Sequence, residues 1–439
     1  MNVPSRIKGF LRDIRTALWL RPSLFCLIAI AAALAAGLAG IVVPKSVSEL
    51  LPAVNTEAVT RFLELLAGSM LTAATVVLSA LMLVLNLVAG QASPRAVPEL
   101  MADRVTQNAL GIFLATFVFS VTALLLFAFE SVLGSASMLL FVIAIAMVAM
   151  SIGSLLQWIH HVADALKLNR VIERLAFQAS YVLDRYIVKD GEGDDDTEET
   201  SSPLREAEAM RVTPGFTGYV QFIDLERIGR TAEDNDLRVN ILVHEGDFLH
   251  PDRAFALVAG PEGAELDEAA RTIARSVVLG AERSSEGDPQ LGIELLAEVA
   301  CRSLSPGIND PKSALTCIEY LSALMVRAAK CPASRYPSGI LFEGRVRQVR
   351  QSFPDLLERA WRPVMRDGGR HAEVICAVMQ ALSELAEKAD RSHLDAVAGE
   401  VDRAEAFGEQ LLQLEVDRKT LSDIAATARK AIESRTGTD

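Results

Sequence analysis

The strongest constraint on this chain is a set of four long apolar stretches, over about 24–43, 65–90, 109–129 and 138–158. About 20 apolar residues are enough for a helix to cross the hydrocarbon of a bilayer. Inside lipid the backbone must satisfy its own hydrogen bonds, so each stretch is expected as a transmembrane helix. For the first stretch the rival is a signal peptide, whose apolar part would be only ~7–15 residues long; this one is longer, and an uncleaved anchor is expected.

The second stretch carries the most hydroxyls and amides. Thr72, Thr75, Ser79 and Asn86 follow one another at steps of three, four and seven, which places them on one helical face. A polar stripe in hydrocarbon is expected to face protein or water, so this helix is either a packing seam or the wall of a pathway. Gly111, Thr116, Ser120, Ser151 and Gly153, in the third and fourth stretches, have the small size that lets helices approach closely, and are read as packing residues.

Orientation follows from Lys and Arg in the short flanks. The segment 1–21 holds five (Arg6, Lys8, Arg12, Arg15 and Arg21), opposite a face of Ile7, Phe10, Leu11, Ile14 and Leu18. It reads either as a basic amphipathic helix in the headgroup layer or as a plain positive flank. The turn from Phe129 to Met138 holds none, whereas Lys167, Arg170, Arg174 and Arg185 follow the fourth stretch. Both termini are therefore expected on the cytoplasmic side of a bacterial inner membrane.

Beyond Trp158 the chain changes solvent. The net charge of −13 is carried by this half, which argues for solubility and against nucleic acid as a partner. Five scattered cysteines without CxxC spacing read as reduced thiols. Helical pattern continues over 161–189, and 190–214 is a linker that opens with the acidic run DGEGDDDTEET. A small β module is expected over 215–262, with strands at Tyr219–Ile223, Leu237–His244 and Ala254–Val258 and one or two helical turns at Leu225–Thr231. From 263 to 439 the pattern is helical: Leu266–Arg283, Pro289–Leu304, Asp310–Ala329, Phe353–Met365, Arg370–Ala389, Ser392–Leu411 and Val416–Ser434. The expected fold class is an α-helical polytopic membrane protein with four transmembrane helices in 22–160, followed by a cytoplasmic α+β domain.

Three clusters carry possible chemistry. Gln91-Ala92-Ser93-Pro94-Arg95 ends the second stretch, where Pro94 breaks the helix and Arg95 meets lipid phosphate, a helix C-terminus or an anion. His160, His161 and Asp164 follow the fourth; His160 and Asp164 are four apart, close enough to pair, though two ligands are too few for a structural zinc. Ser305-Pro306-Gly307-Ile308-Asn309-Asp310-Pro311 lies between two helices and reads as a specified turn. There Gly307 permits a left-handed conformation, and Asp310 caps the next helix with Pro311 at its first position. No catalytic constellation, metal set or cofactor-binding glycine loop is evident, so no enzyme and no cofactor are expected.

The QASPR and WIHHVAD exits, Gly218-Tyr219-Val220, the Gly246-Asp247-Phe248 turn, Asp288-Pro289 and the SPGINDP stretch occur in this order. Together they resemble the bacterial predicted membrane proteins grouped as domain of unknown function 2254. The resemblance implies an inner-membrane protein with a cytoplasmic domain and brings no catalytic residues. The leading functional expectation is an oligomeric channel or transport-like protein for an ion or small ligand. Thr72, Thr75, Ser79 and Asn86 would line its pore between subunits, with Gln91, Ser93, Arg95, His160, His161 and Asp164 near the cytoplasmic mouth. The alternative is a non-conducting membrane-anchored sensor or scaffold.

Overall fold

The computed structural model describes residues 19–42, 55–91, 104–129, 134–165, 167–188, 204, 209–261, 266–284, 287–333, 340–342 and 344–437. The basic segment before residue 19, Ser93, Pro94, Arg95 and the acidic run lie outside these. The chain divides into two compact units, one over 10–90 and 94–170, the other mainly over 171–439.

The first unit holds four long helices: α1 (Leu20–Val42), α2 (Thr56–Gln91), α3 (Arg104–Ala128) and α4 (Gly134–Ala165). All four are long and apolar enough to cross a membrane. At 1.5 Å per residue α2, with 36 residues, is about 54 Å long, well beyond the ~30 Å hydrocarbon layer. It begins nine residues before the expected start at Leu65. Asn55 accepts from the Glu57 amide, and a surface Glu57–Arg61 pair supports the first turn, so the polar run before Leu65 forms helix rather than loop.

One layer of the interior joins Ala33 of α1, Leu63 of α2, Phe119 of α3 and Leu140 of α4, all fully buried. A second joins Val77, Phe113 and Trp158. The helices α1 and α3 approach closely at Gly111, where a Cβ would lie 2.5 Å from the Phe25 ring. Thr116 and Ser151, 0% and 1% exposed, bridge α3 and α4 through their hydroxyls at 3.2 Å. Ser120 is equally buried and bonds the Thr116 carbonyl. Gly153 departs from the packing expectation: it is exposed, with nothing within 4 Å of a Cβ.

The second unit begins with most of α5 (Leu168–Val188) and contains two sheets. The strands are β1 (Met210–Val212), β2 (Gly218–Ile223), β3 (Arg238–Ile241), β4 (Phe248–Leu249), β5 (Ala256–Ala259), β6 (Val277–Gly280), β7 (Ile340–Leu341) and β8 (Val346–Gln348). One sheet has the order β1-β5-β3-β8-β7, antiparallel except for β3 with β8. The other is β4-β2-β6, antiparallel. Two short helices, α6 (Leu225–Asp234) and α7 (Leu266–Ala274), share their core, through Ile228 and Ile273 against Val220, Val239, Phe255 and Val258. The helix expected to reach Arg283 ends at Ala274. Val277, Val278 and Leu279 instead pair with β2, where β-branched side chains suit the pleat.

Six helices complete this unit: α8 (Pro289–Ser303), α9 (Pro311–Ala329), α10 (Phe353–Gly368), α11 (Ala372–Lys388), α12 (Leu394–Leu411) and α13 (Glu415–Thr436). Their starts are written locally. Asp288 and Asp310 cap α8 and α9 with Pro at the first turn, and Ser352 forms a capping box with Asp355 at α10. Trp361 and Phe353 are fully buried, and His393 stacks on Phe353 at 4.4 Å while one ring nitrogen meets the Cys331 carbonyl at 2.8 Å.

Candidate functional site

The polar stripe of α2 faces outward. The helix buries Val59, Leu63, Leu66, Ala74, Val77 and Leu81 against its own bundle. Gly68, Ser69, Thr72, Thr75, Ser79 and Asn86 are exposed on the other side, and a Cβ at Gly68 would meet open space. Each hydroxyl bonds a carbonyl one turn back: Thr72 to Gly68 at 2.9 Å, Thr75 to Leu71 at 2.9 Å, Ser79 to Thr75 at 2.9 Å and Ser69 to Leu65 at 2.7 Å. Such back-bonding lowers the cost of a hydroxyl in an apolar surround. Thr116 and Ser120 of α3 and Ser151 of α4 thus point inward, and the hydroxyls of α2 point away. Apolar and aromatic side chains fill the interior around Phe113 and Phe119.

The other expected members of this site are placed less fully. Gln91 is the last residue of α2, while Ser93 and Arg95 lie outside the described residues. His160 is exposed and His161 half-buried on the last turns of α4; Asp164 belongs to the same helix, and its side chain lies outside the described set. Among the described residues no group of three or more His, Cys, Asp or Glu is placed to hold a metal ion.

The SPGINDP turn spends its polar groups on the backbone. The Ser305 hydroxyl donates to the Arg302 carbonyl at 2.6 Å, and the Asp310 amide donates to the Ser303 carbonyl at 2.8 Å. The left-handed residue is Asn309, with φ 50°, not Gly307, which corrects the expectation for this turn. Asparagine tolerates that region because its short side chain bonds locally. Asp310 accepts from the Ser313 amide at 3.2 Å and the Ser313 hydroxyl at 2.6 Å, and these bonds hold its carboxyl below the ordinary aspartate range. Pro306, Gly307, Ile308 and Asn309 are exposed, so the turn presents an outer surface over a fixed frame.

A buried charge network in the second unit went unmarked in the sequence. Asp288 is 1% exposed. One of its oxygens caps α8 through the Gln290 and Leu291 amides at 3.1 and 3.3 Å, and the other takes the Arg283 Nε–H at 2.8 Å. Arg283 also pairs with Glu294, which Arg359 meets from the far side at 3.2 Å. Burial opposes the Arg283 charge, but Asp288 and Glu294 outweigh it and hold its pKa above the ordinary value.

The Gly246-Asp247 turn seats directly on this network. Gly246 has φ 94°, and a Cβ there would lie 2.2 Å from an Asp288 oxygen, so both conformation and contact require glycine. Beside it, Gln351 donates to Asp288 at 3.4 Å and lies 3.1 Å from His244 Nδ1. The Gln351 amide donates to the Tyr186 hydroxyl at 2.8 Å, and that hydroxyl lies 3.1 Å from the Gln351 carbonyl. Burial pushes the Glu245 carboxyl up, against the pull of its own amide, Arg350 and His244. The motif pieces GDF and DP therefore touch, across some forty residues of chain. The network joins α5, the β module and the starts of α8 and α10, which makes it a structural clamp.

An open groove runs between α9 and α11. Leu315, Ile318 and Val326 line one wall and Ala377 and Ala381 the other, with Glu319, Glu373 and Glu384 along it. Glu384 is held by Lys388 and by the Ser322 hydroxyl.

Curated relatives include an uncharacterized protein of Mycobacterium bovis and uncharacterized proteins from two strains of Mycobacterium tuberculosis. Each is 25% identical over 382 residues, covering 85% of this chain and 72% of the relative. No solved structure matches. The profile described as predicted membrane protein (DUF2254) matches residues 15–384, and with its four apolar helices the chain belongs to that family of membrane proteins.

Proposed function

We propose that the protein is a homo-oligomer of the bacterial inner membrane whose α2 helices meet and enclose a pathway for an ion or small polar solute. Both termini and the second unit lie in the cytoplasm, where that unit assembles or regulates the pore. No catalytic step is assigned to it. The observation that carries this reading is the outward exposure of Thr72, Thr75, Ser79 and Asn86, beside an open surface at Gly68. A bundle whose interior is filled by Phe113, Phe119 and Leu140 offers no polar route of its own, whereas copies meeting around an axis supply one. Gln91, Arg95, His160 and His161 belong near its cytoplasmic end.

The test is flux from liposomes holding the full-length protein, under voltage, membrane tension and pH steps. The reading expects a conductance that Ser79→Leu, placed on the exposed stripe, abolishes or strongly reduces. No flux under any stimulus overturns it. A second reading, a non-conducting sensor or scaffold, is favoured by the hydroxyls, all satisfied within their own helix, and by the α9–α11 groove, which suits a helical partner. It expects Thr75→Val to weaken assembly while permeability stays at the level of empty liposomes.

A further inference from the structure

Two residues after α4, the helix α5 begins, and its two faces are unlike each other. Val171, Ile172, Leu175, Ala179, Val182 and Leu183 are buried. Gly292 of α8 comes so near Ala179 that a Cβ on the glycine would lie 2.6 Å away, and Tyr186 is held by Gln351. These contacts fix the rotation of the helix. They leave Lys167, Arg170, Arg174, Phe177, Tyr181 and Arg185 exposed together. At 3.6 residues per turn the five that lie in α5, from Arg170 to Arg185, fall within about 80° of arc.

The composition of this face is unusual for water alone. Phe177 is 76% exposed and Tyr181 56%, among four cationic side chains. Arg185 lies over the Tyr181 ring at 5.7 Å and reaches its hydroxyl at 3.3 Å. Glu173, also exposed, lies about 40° beyond the arc, and Asp184 is engaged by Arg327. Aromatic rings prefer the headgroup level of a bilayer, and Arg and Lys reach past them to lipid phosphates. A membrane is at hand, because the preceding helix is one of the four apolar spans.

We propose that this face of α5 is a docking surface for anionic phospholipid, lying on the headgroup layer of the membrane that α4 crosses. The surface holds α5 against the bilayer. The inference rests on membrane association of the four helices and not on whether they conduct.

The test uses full-length protein carrying Phe177→p-benzoylphenylalanine, reconstituted in phosphatidylcholine vesicles with or without phosphatidylglycerol, illuminated and read by mass. The same photoreactive residue at Leu156, exposed on α4, serves as the positive control. Each basic residue near an anionic surface changes binding by about fivefold. The expected result is a lipid adduct at position 177, at least about fivefold stronger with phosphatidylglycerol and reduced by a similar factor in Arg174→Gln. Three results overturn the proposal: a lipid adduct at position 156 with none at 177, equal yields in the two lipids, or an adduct to a protein in place of lipid.

Discussion

Asp310 and Asp288 both cap helices that begin with proline, yet only one of them stands alone. Asp310 acts through its neighbours, so Asp310→Ala removes a cap worth about 1 kcal/mol and lowers the thermal midpoint of the purified protein. Its pH dependence follows from hydrogen bonding by Ser313, which keeps the folded pKa below the unfolded value of about 3.9. The stability it adds is therefore complete above the unfolded value and fades as pH falls through the folded one. Melting in acid is accordingly expected to be less pH-dependent in Asp310→Asn, which keeps the cap without the charge. Asp288 is different because Arg283 compensates it in a buried setting. Arg283→Met strands that carboxylate and is expected to cost about 3–5 kcal/mol, with partial recovery in Arg283→Met/Asp288→Asn. Thermal melts of the two variants decide it; equal stability of Arg283→Met and the parent defeats the clamp assignment. The difference in legibility has the same origin. The Asp310 cap involves residues three apart and is written in the local sequence, whereas Gln351 and Tyr186 meet across 165 positions.

At the level of elements, the four apolar helices were legible because their length alone excludes most alternatives in water. The packing role of Thr116, Ser120 and Ser151 was legible too, but which way the α2 stripe turns was not. Thr116, Ser120 and Ser151 are sealed at a helix seam, while Thr75 and Ser79, of the same chemistry and in the same kind of helix, face out. Periodicity places residues on a shared face without saying what that face meets. The strand β6 escaped for a related reason. Val277-Val278-Leu279 follows α7 after two residues, and an apolar run that short fits a helix continuation as well as a strand until β2 pairs with it. The inversion between helices gives a sharp contrast. Thr116→Val breaks the bond to Ser151 and is expected to destabilise the bundle by about 0.6 kcal/mol, the usual worth of an interhelical hydrogen bond in a membrane. Thr75→Val removes only a bond within its own helix and leaves the monomer as stable as before. Detergent unfolding titrations separate the two, and an equal loss in both contradicts the outward placement of Thr75.

For the molecule as a whole, the proposed cytoplasmic placement of the second unit rests on charge and is open to a direct test. Four basic residues precede α1 and a fifth, Arg21, lies in its first turn; four follow α4 up to Arg185, while residues 129–138 have none. Lys and Arg within ~15–20 residues of a span bias orientation toward the cytoplasm, and four crossings return the chain to the side it left. In the proposed orientation the start of α2, with Glu57, Arg61 and Glu64, is an external end, and the two net cationic flanks, 6–21 and 167–185, are internal. A fluorescent-protein fusion after Asp439 is therefore expected to be bright and an alkaline phosphatase fusion there inactive, with the reverse for fusions in the Phe129–Met138 turn. Inverting the bias supplies the stricter check. Replacing Arg6, Lys8, Arg12 and Arg15 by glutamine leaves Lys167, Arg170, Arg174 and Arg185 to hold the C-terminal end inside, so the C-terminal fusion is expected to keep its fluorescence. If that variant turns dark, the N-terminal flank alone sets the topology and the basic face of α5 has no part in it.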